Sequence, residues 1–153
     1  LRLLRRLLRE LNSAYNPGES EVLRINDKYF TLDPALIDGL KVREGLVYAG
    51  RYLGRDRRLF EPSSLLLQML ASEPDTRKVH VGRAAAWLFV CGRDIFEENI
   101  TSAEGDLAPG GHFLVIYSGQ CLGYGRYETV WDRIMLRNLF NIGDFLHRED
   151  STP

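Results

Sequence analysis

HVGRAAAWLFVCGRDIF, His80 to Phe96, is the stretch on which the fold turns. An extended run, Lys78–Val81, leads almost directly into an apolar helix, Arg83–Cys91. Gly92 then stands where the helix must stop, because glycine takes the left-handed C′ conformation without cost. The helix carries Ala85, Leu88 and Phe89 on one side, the pattern of a helix that plugs a small barrel. The stretch holds few acids and bases, one cysteine and no catalytic set.

Downstream, "DIFEENI" is followed by a loop over "TSAEGDLAPGG" and then by two strands, His112–Ser118 and Cys121–Glu128, joined as a hairpin by Gly119-Gln120. Val115 and Tyr117 alternate with Leu114, Ile116 and Ser118, as in a strand with one face in a barrel. A last strand is expected near Ile134–Asn138, and a short helix or turn near Ile142–Arg148. Gly123 and Gly125 weaken the strand they sit in. Either a nucleic-acid backbone or a helix comes close there, or they mark a bulge at a barrel corner.

Upstream, "LRLLRRLLRELNSAYN" places Leu1, Leu4, Leu7, Leu8 and Leu11 at helical spacing with arginines beside or opposite. It reads as an amphipathic helix packed on the domain, with a membrane-surface or RNA-contacting helix as the sharper alternatives. Strands follow at Glu21–Ile25 and Lys28–Leu32 around Asn26-Asp27. Asp33 caps a helix that Pro34 begins and that ends near Gly39. Two more strands, Leu46–Gly54 and Arg57–Glu61, flank the turn Arg55-Asp56, and a helix runs from Pro62-Ser63-Ser64 to Ser72. "SEPDT", Ser72–Thr76, is polar and is the natural boundary. The expected architecture is α+β: a small N-terminal α/β domain, residues 1–74, and a C-terminal barrel, residues 75–153.

Composition narrows the function. The chain has 153 residues, of which 44% are apolar and 27% charged, which suits a globular body with a real core. Its net charge of −1 disfavours indiscriminate coating of nucleic acid. The first 75 residues hold 12 Lys+Arg against 11 Asp+Glu, and the rest hold 8 against 10, so any RNA surface is a local patch. No apolar run approaches the ~20 residues needed to cross a bilayer, and no signal-peptide pattern is visible. Cys91 and Cys121, far apart and outside any C-x-x-C, read as small buried apolar residues of a reducing compartment, with a disulfide as the minor alternative. Such a compartment leads us to expect a cytoplasmic protein. His80, His112 and His147 are widely separated, and no H-E-x-x-H, G-x-S-x-G or P-loop is present. No metal, cofactor or catalytic residue is expected.

The strand "KVHV" followed by Ala85, Phe89, Gly92 and Ile95 resembles the A-x-x-x-F-x-x-G-x-x-[IV] pattern of the PUA domain, a small RNA-binding barrel. Gly123 and Gly125 in "LGYG" are similar to its late strand pair. The order "YAGRYLG…FEPSSLLLQML", "KVHV" and "NLFNIGDFLHR" resembles the two-domain Nip-seven family of large-subunit biogenesis factors over about residues 28–150. The resemblance implies a non-enzymatic binder of structured RNA, ribosomal RNA foremost, acting in ribosome biogenesis, with protein partners reached through the N-terminal domain. It implies a nucleolar location in a eukaryote, and RNA contacts at Arg133 and Arg137, whose spacing puts them on the same side of a strand or of a single helical turn. Val130, Ile134 and Phe140 stand where the family tends to be basic, which weakens the electrostatic contribution. Arg126, Tyr124, Tyr127 and Trp131 are candidates for stacking on unpaired bases, with core filling as the alternative for the aromatics. Two other readings stay open. One is the RNA-targeting portion of an RNA-modifying enzyme, which a chain beginning at Leu1 would fit. The other is a protein-interaction module without RNA affinity.

Overall fold

The computed structural model describes residues 1–41, 44–46 and 48–143. The first half runs α1 (Arg2–Glu10), a 3-10 turn (Glu19–Glu21), β1 (Val22–Ile25), β2 (Lys28–Thr31), α2 (Pro34–Lys41), β3 (Arg51–Asp56), β4 (Phe60–Pro62) and α3 (Ser64–Ser72). Its four strands form an antiparallel meander in chain order. The α3 helix starts where Ser63 Oγ accepts the backbone N–H of Leu66 at 3.1 Å, a side-chain cap. Asp33 does the same for Ala35 at 2.9 Å ahead of Pro34. The β3–β4 turn lies later than the sequence suggests. Asp56 stays in the strand because its N–H reaches Asp27 O at 2.8 Å and its Oδ2 accepts the Tyr29 hydroxyl at 2.7 Å. The turn therefore falls on Arg57–Arg58–Leu59. The strand expected over Leu46–Gly54 begins only at Arg51.

The second half runs β5 (Lys78–Val81), α4 (Arg83–Val90), β6 (Ile95–Phe96), a 3-10 turn (Glu97–Asn99), β7 (Ile100–Glu104), β8 (His112–Tyr117), β9 (Gln120–Val130) and β10 (Arg133–Asn141). Its strands make one curled sheet in the order β6-β10-β9-β8-β5-β7, in which only the β5–β8 pair is parallel. The end strands β6 and β7 are neighbours in sequence, so one 3-10 turn links the two edges of the barrel. Residues Thr101–Glu104, expected as loop, form β7 because they pair with Lys78–His80. The β8–β9 turn lies on Ser118 and Gly119, one residue earlier than expected, with φ of +49° and +77°. The helix or turn expected near Ile142–Arg148 lies, from residue 144 on, outside the described residues.

Helix α4 plugs the barrel. It ends in a Schellman motif: Gly92, at φ +94°, donates to Phe89 O, and Arg93 donates to Leu88 O at 2.9 Å. Ala85, Ala86 and Phe89 face a core that also contains Val79, Ile95, Val115 and Leu136. Leu88, expected inside, is 48% exposed; Ala86 takes its place on the buried arc. Cys91 is exposed rather than buried, because it caps the helix outside the barrel. Cys121 is buried, which pushes its thiol pKa up to about 12. The two cysteines are both free.

A second core joins the halves. Leu4, Leu7, Leu8 and Leu11 of α1 and its end, with Leu66, Leu67 and Leu70 of α3, pack against Leu114, Ile116, Cys121, Tyr124 and Phe140 of the barrel wall. Each fully buried leucine contributes roughly 1.5–3 kcal/mol. Strand β8 is thus apolar on both faces: Phe113 and Val115 point into the barrel, Leu114 and Ile116 into the joint. Gln68 completes the joint by pairing its amide with both backbone groups of Cys121, at 3.3 and 3.4 Å.

The polar boundary segment is pinned. Glu73 Oε2 accepts from Ser13 Oγ and Thr76 Oγ1, each at 2.8 Å, and from Ala14 N–H at 3.2 Å. Lys78 Nζ donates to the Glu73 carbonyl. Among the described residues no helix is long and apolar enough to cross a membrane, and no cluster of three or more His, Cys, Asp and Glu is placed to hold a metal ion.

Candidate nucleic-acid interface

Strands β9 and β10 form a long antiparallel ribbon, and alternation sorts its residues onto two faces. Tyr127 and its partner Leu136 point into the barrel. On the other face the register pairs Arg126 with Arg137, Glu128 with Met135 and Val130 with Arg133. Arg126, Arg133 and Arg137 therefore share one side, as their spacing suggests.

They are not bare charges. Glu128 Oε2 accepts from Arg126 Nε at 2.8 Å, and its Oε1 accepts from Arg137 Nη1 at 3.0 Å. Burial acts to raise the Glu128 pKa, but the two hydrogen bonds and the two positive charges outweigh it and hold the carboxyl below its ordinary value. Arg133 pairs with Glu98 at 3.3 Å and lies over the Phe96 ring, 4.0 Å from its centroid.

Three expected contacts move from the surface into the scaffold. Tyr124 is 2% exposed, stacked near Phe140, with its hydroxyl donating to Phe60 O at 3.1 Å. Burial, and the charges of Glu10 and Glu61, raise its pKa. The N-terminal half covers its ring and leaves no face for a base. Gly123 sits at φ +145°, and a Cβ there would come within 2.0 Å of Phe140 O. A Cβ at Gly125 would meet Arg137 O at 2.5 Å. These glycines admit strand β10, next to its register shift between Asn138 and Phe140, rather than a ligand. Tyr127 is also buried, with its hydroxyl donating to Glu97 at 3.0 Å. Trp131 goes the other way and is 93% exposed.

Two residues that the sequence places in a strand, and not in a site, complete the cleft. Arg57 and Arg58, both exposed, sit on the β3–β4 turn and line a cleft of about 490 Å³ together with Arg126 and Arg137. No carboxylate among the described residues forms an ion pair with Arg57 or Arg58. Glu61, also in the lining, pairs with Arg55 at 3.0 Å. The cleft thus gathers four guanidinium groups, two from each half, on a body whose net charge is near zero. Such a concave cationic surface suits a phosphate backbone, because Arg offers a planar fork of donors. The double arginine after a strand was the available signal in the sequence, but the mistaken strand over 57–61 hid its place at a turn.

A second concavity, also about 490 Å³, is mostly apolar, lined by Arg83, Ala86, Trp87, Val90, Tyr117 and Leu122.

Residues 77–150 match the model of the UPF0113 PUA domain family. Over 97% of this chain and 94% of its own, a conserved PUA domain protein from Thermoplasma acidophilum is similar at a TM-score of 0.57 and 19% identity. A hypothetical protein from the hyperthermophilic archaeon Pyrococcus horikoshii OT3 is similar at a TM-score of 0.49 and 17% identity, over 78% of this chain and 72% of that one. No curated protein sequence matches the chain. The Thermoplasma likeness extends over both halves, and the two-part α+β fold with a PUA-type C-terminal half is shared.

Proposed function

We propose, from the PUA-type domain in the C-terminal half, that this chain is a non-enzymatic protein that binds structured RNA. Its phosphate contacts lie in the cleft between the halves. The observation that carries this reading is the convergence of Arg57, Arg58, Arg126 and Arg137 on one concave surface. The N-terminal half acts as the orienting module: it seals the outer wall of the barrel and supplies two of the four guanidinium groups. Ribosomal RNA, in the maturation of the large subunit, is the setting implied by the resemblance to the Nip-seven family.

Filter binding to a structured RNA over a range of salt concentrations tests the site. Arg57→Ala with Arg58→Ala should weaken binding evenly across sequences and lower the salt slope by roughly two at most. Arg133→Ala should do less, since that group is engaged by Glu98 and Phe96. Unchanged affinity in the double variant would remove the cleft as the site. Sequencing of RNA recovered with the protein tests the setting, and a pool free of ribosomal RNA would remove it.

A further inference from the structure

We infer that Trp131 is a stacking platform for an unpaired base, which the ribbon engages beyond the phosphates held in the cleft. This rests on the RNA-binding reading above. Trp131 and Asp132 form the two-residue turn between β9 and β10, with φ of +50° and +65°. A turn with both residues at positive φ favours asparagine and glycine, and a bulky aromatic there is an outlier. The indole is 93% exposed, so the position gains nothing from packing either. Neither turn geometry nor the core accounts for a tryptophan at this place. An indole held out at the end of a two-stranded ribbon, 93% exposed, offers its ring to solvent, and every base has a π-face to lay on it.

The neighbourhood fits the same ligand. The paired ladder runs from Arg126 and Arg137, in the cleft wall, to Val130 and Arg133 beside the turn. That is four residues, about 13 Å of strand. Arg133 lies between cleft and tip, its guanidinium carbon 4.0 Å from the Phe96 ring centroid. A strand of RNA with its backbone in the cleft would follow the arginine-bearing face and bring a base to the tip. Bases inside a duplex are already stacked on each other, so the ligand is a looped-out or single-stranded nucleotide next to a folded region.

The chain has two tryptophans, and Trp87 is also exposed, so the test uses Trp87→Phe throughout. Trp131 emission should be quenched by a short oligoadenylate single strand and unaffected by a blunt RNA duplex of the same length. Trp131→Ala should weaken binding of the single strand about tenfold while leaving the salt slope unchanged, because indole carries no charge. Trp131→Phe should retain most of the affinity. Salt-dependent RNA binding that is unaltered in Trp131→Ala, with no quenching, would overturn this inference and leave the arginine cleft standing. No RNA binding by the Trp87→Phe chain would remove both.

Discussion

Glu128 sets how much of the ribbon's charge is available. One carboxylate holds Arg126 and Arg137 together, so two cations present less than two free charges to a phosphate. Glu128→Gln should tighten binding to structured RNA several-fold and steepen its salt dependence, as read by filter binding. The stability cost should stay within about 1 kcal/mol, since these pairs are partly exposed. Single residues were the least legible part of the sequence. Tyr124 follows the strand's outward alternation, and nothing local says that the outward side is covered by another part of the chain. Gly123 poses the same difficulty: a glycine in a strand signals close approach but not of what, and only Phe140 O at 2.0 Å from the missing Cβ answers it. Trp131 was equally ambiguous, because a hydrophobic residue next to a turn carries no mark of being exposed.

At the level of elements, α4 was legible because two independent signals agree, the helical spacing of Ala85 and Phe89 and the terminating Gly92. Alternation is only one pattern in strand β8, since "FLVIY", Phe113–Tyr117, is a continuous apolar run of the kind that is buried on both faces. Its second face meets α1, and His112 at its start lies there, Nε2 to Glu10 Oε2 3.4 Å. Burial lowers the His112 pKa, and Arg126 and Arg6 lower it further, against Glu10 and a backbone hydrogen bond with Gly110, which raise it. A histidine whose folded pKa is depressed binds fewer protons folded than unfolded. Its contribution is complete above the unfolded value of about 6.5 and is lost as pH falls from there toward the folded value. Denaturant unfolding should show that loss, and His112→Gln should flatten it. An NMR titration placing the His112 midpoint above 6.5 would contradict the sign.

For the molecule as a whole, the sequence division at residues 72–76 coincides with the end of α3 and the start of β5, but not with independent cores. Leu66 is fully buried in a cluster that includes Leu114 and Ile116. Leu66→Ala should cost about 2–5 kcal/mol, and hydrogen exchange should quicken in β8 and β9 as much as in β3. Barrel amides that kept their protection in this variant would show the halves to be separable. No local pattern could reveal this joint, since its partners stand over forty residues apart. The same joint imposes an order on synthesis. The leucines of α1 leave the ribosome ahead of Phe140, which closes their cluster, by about 130 residues, roughly 6–26 s at ordinary elongation rates. Through that interval α3 can cover part of the helix's apolar stripe, but the side that meets the barrel wall stays open to water until β8, β9 and β10 are made.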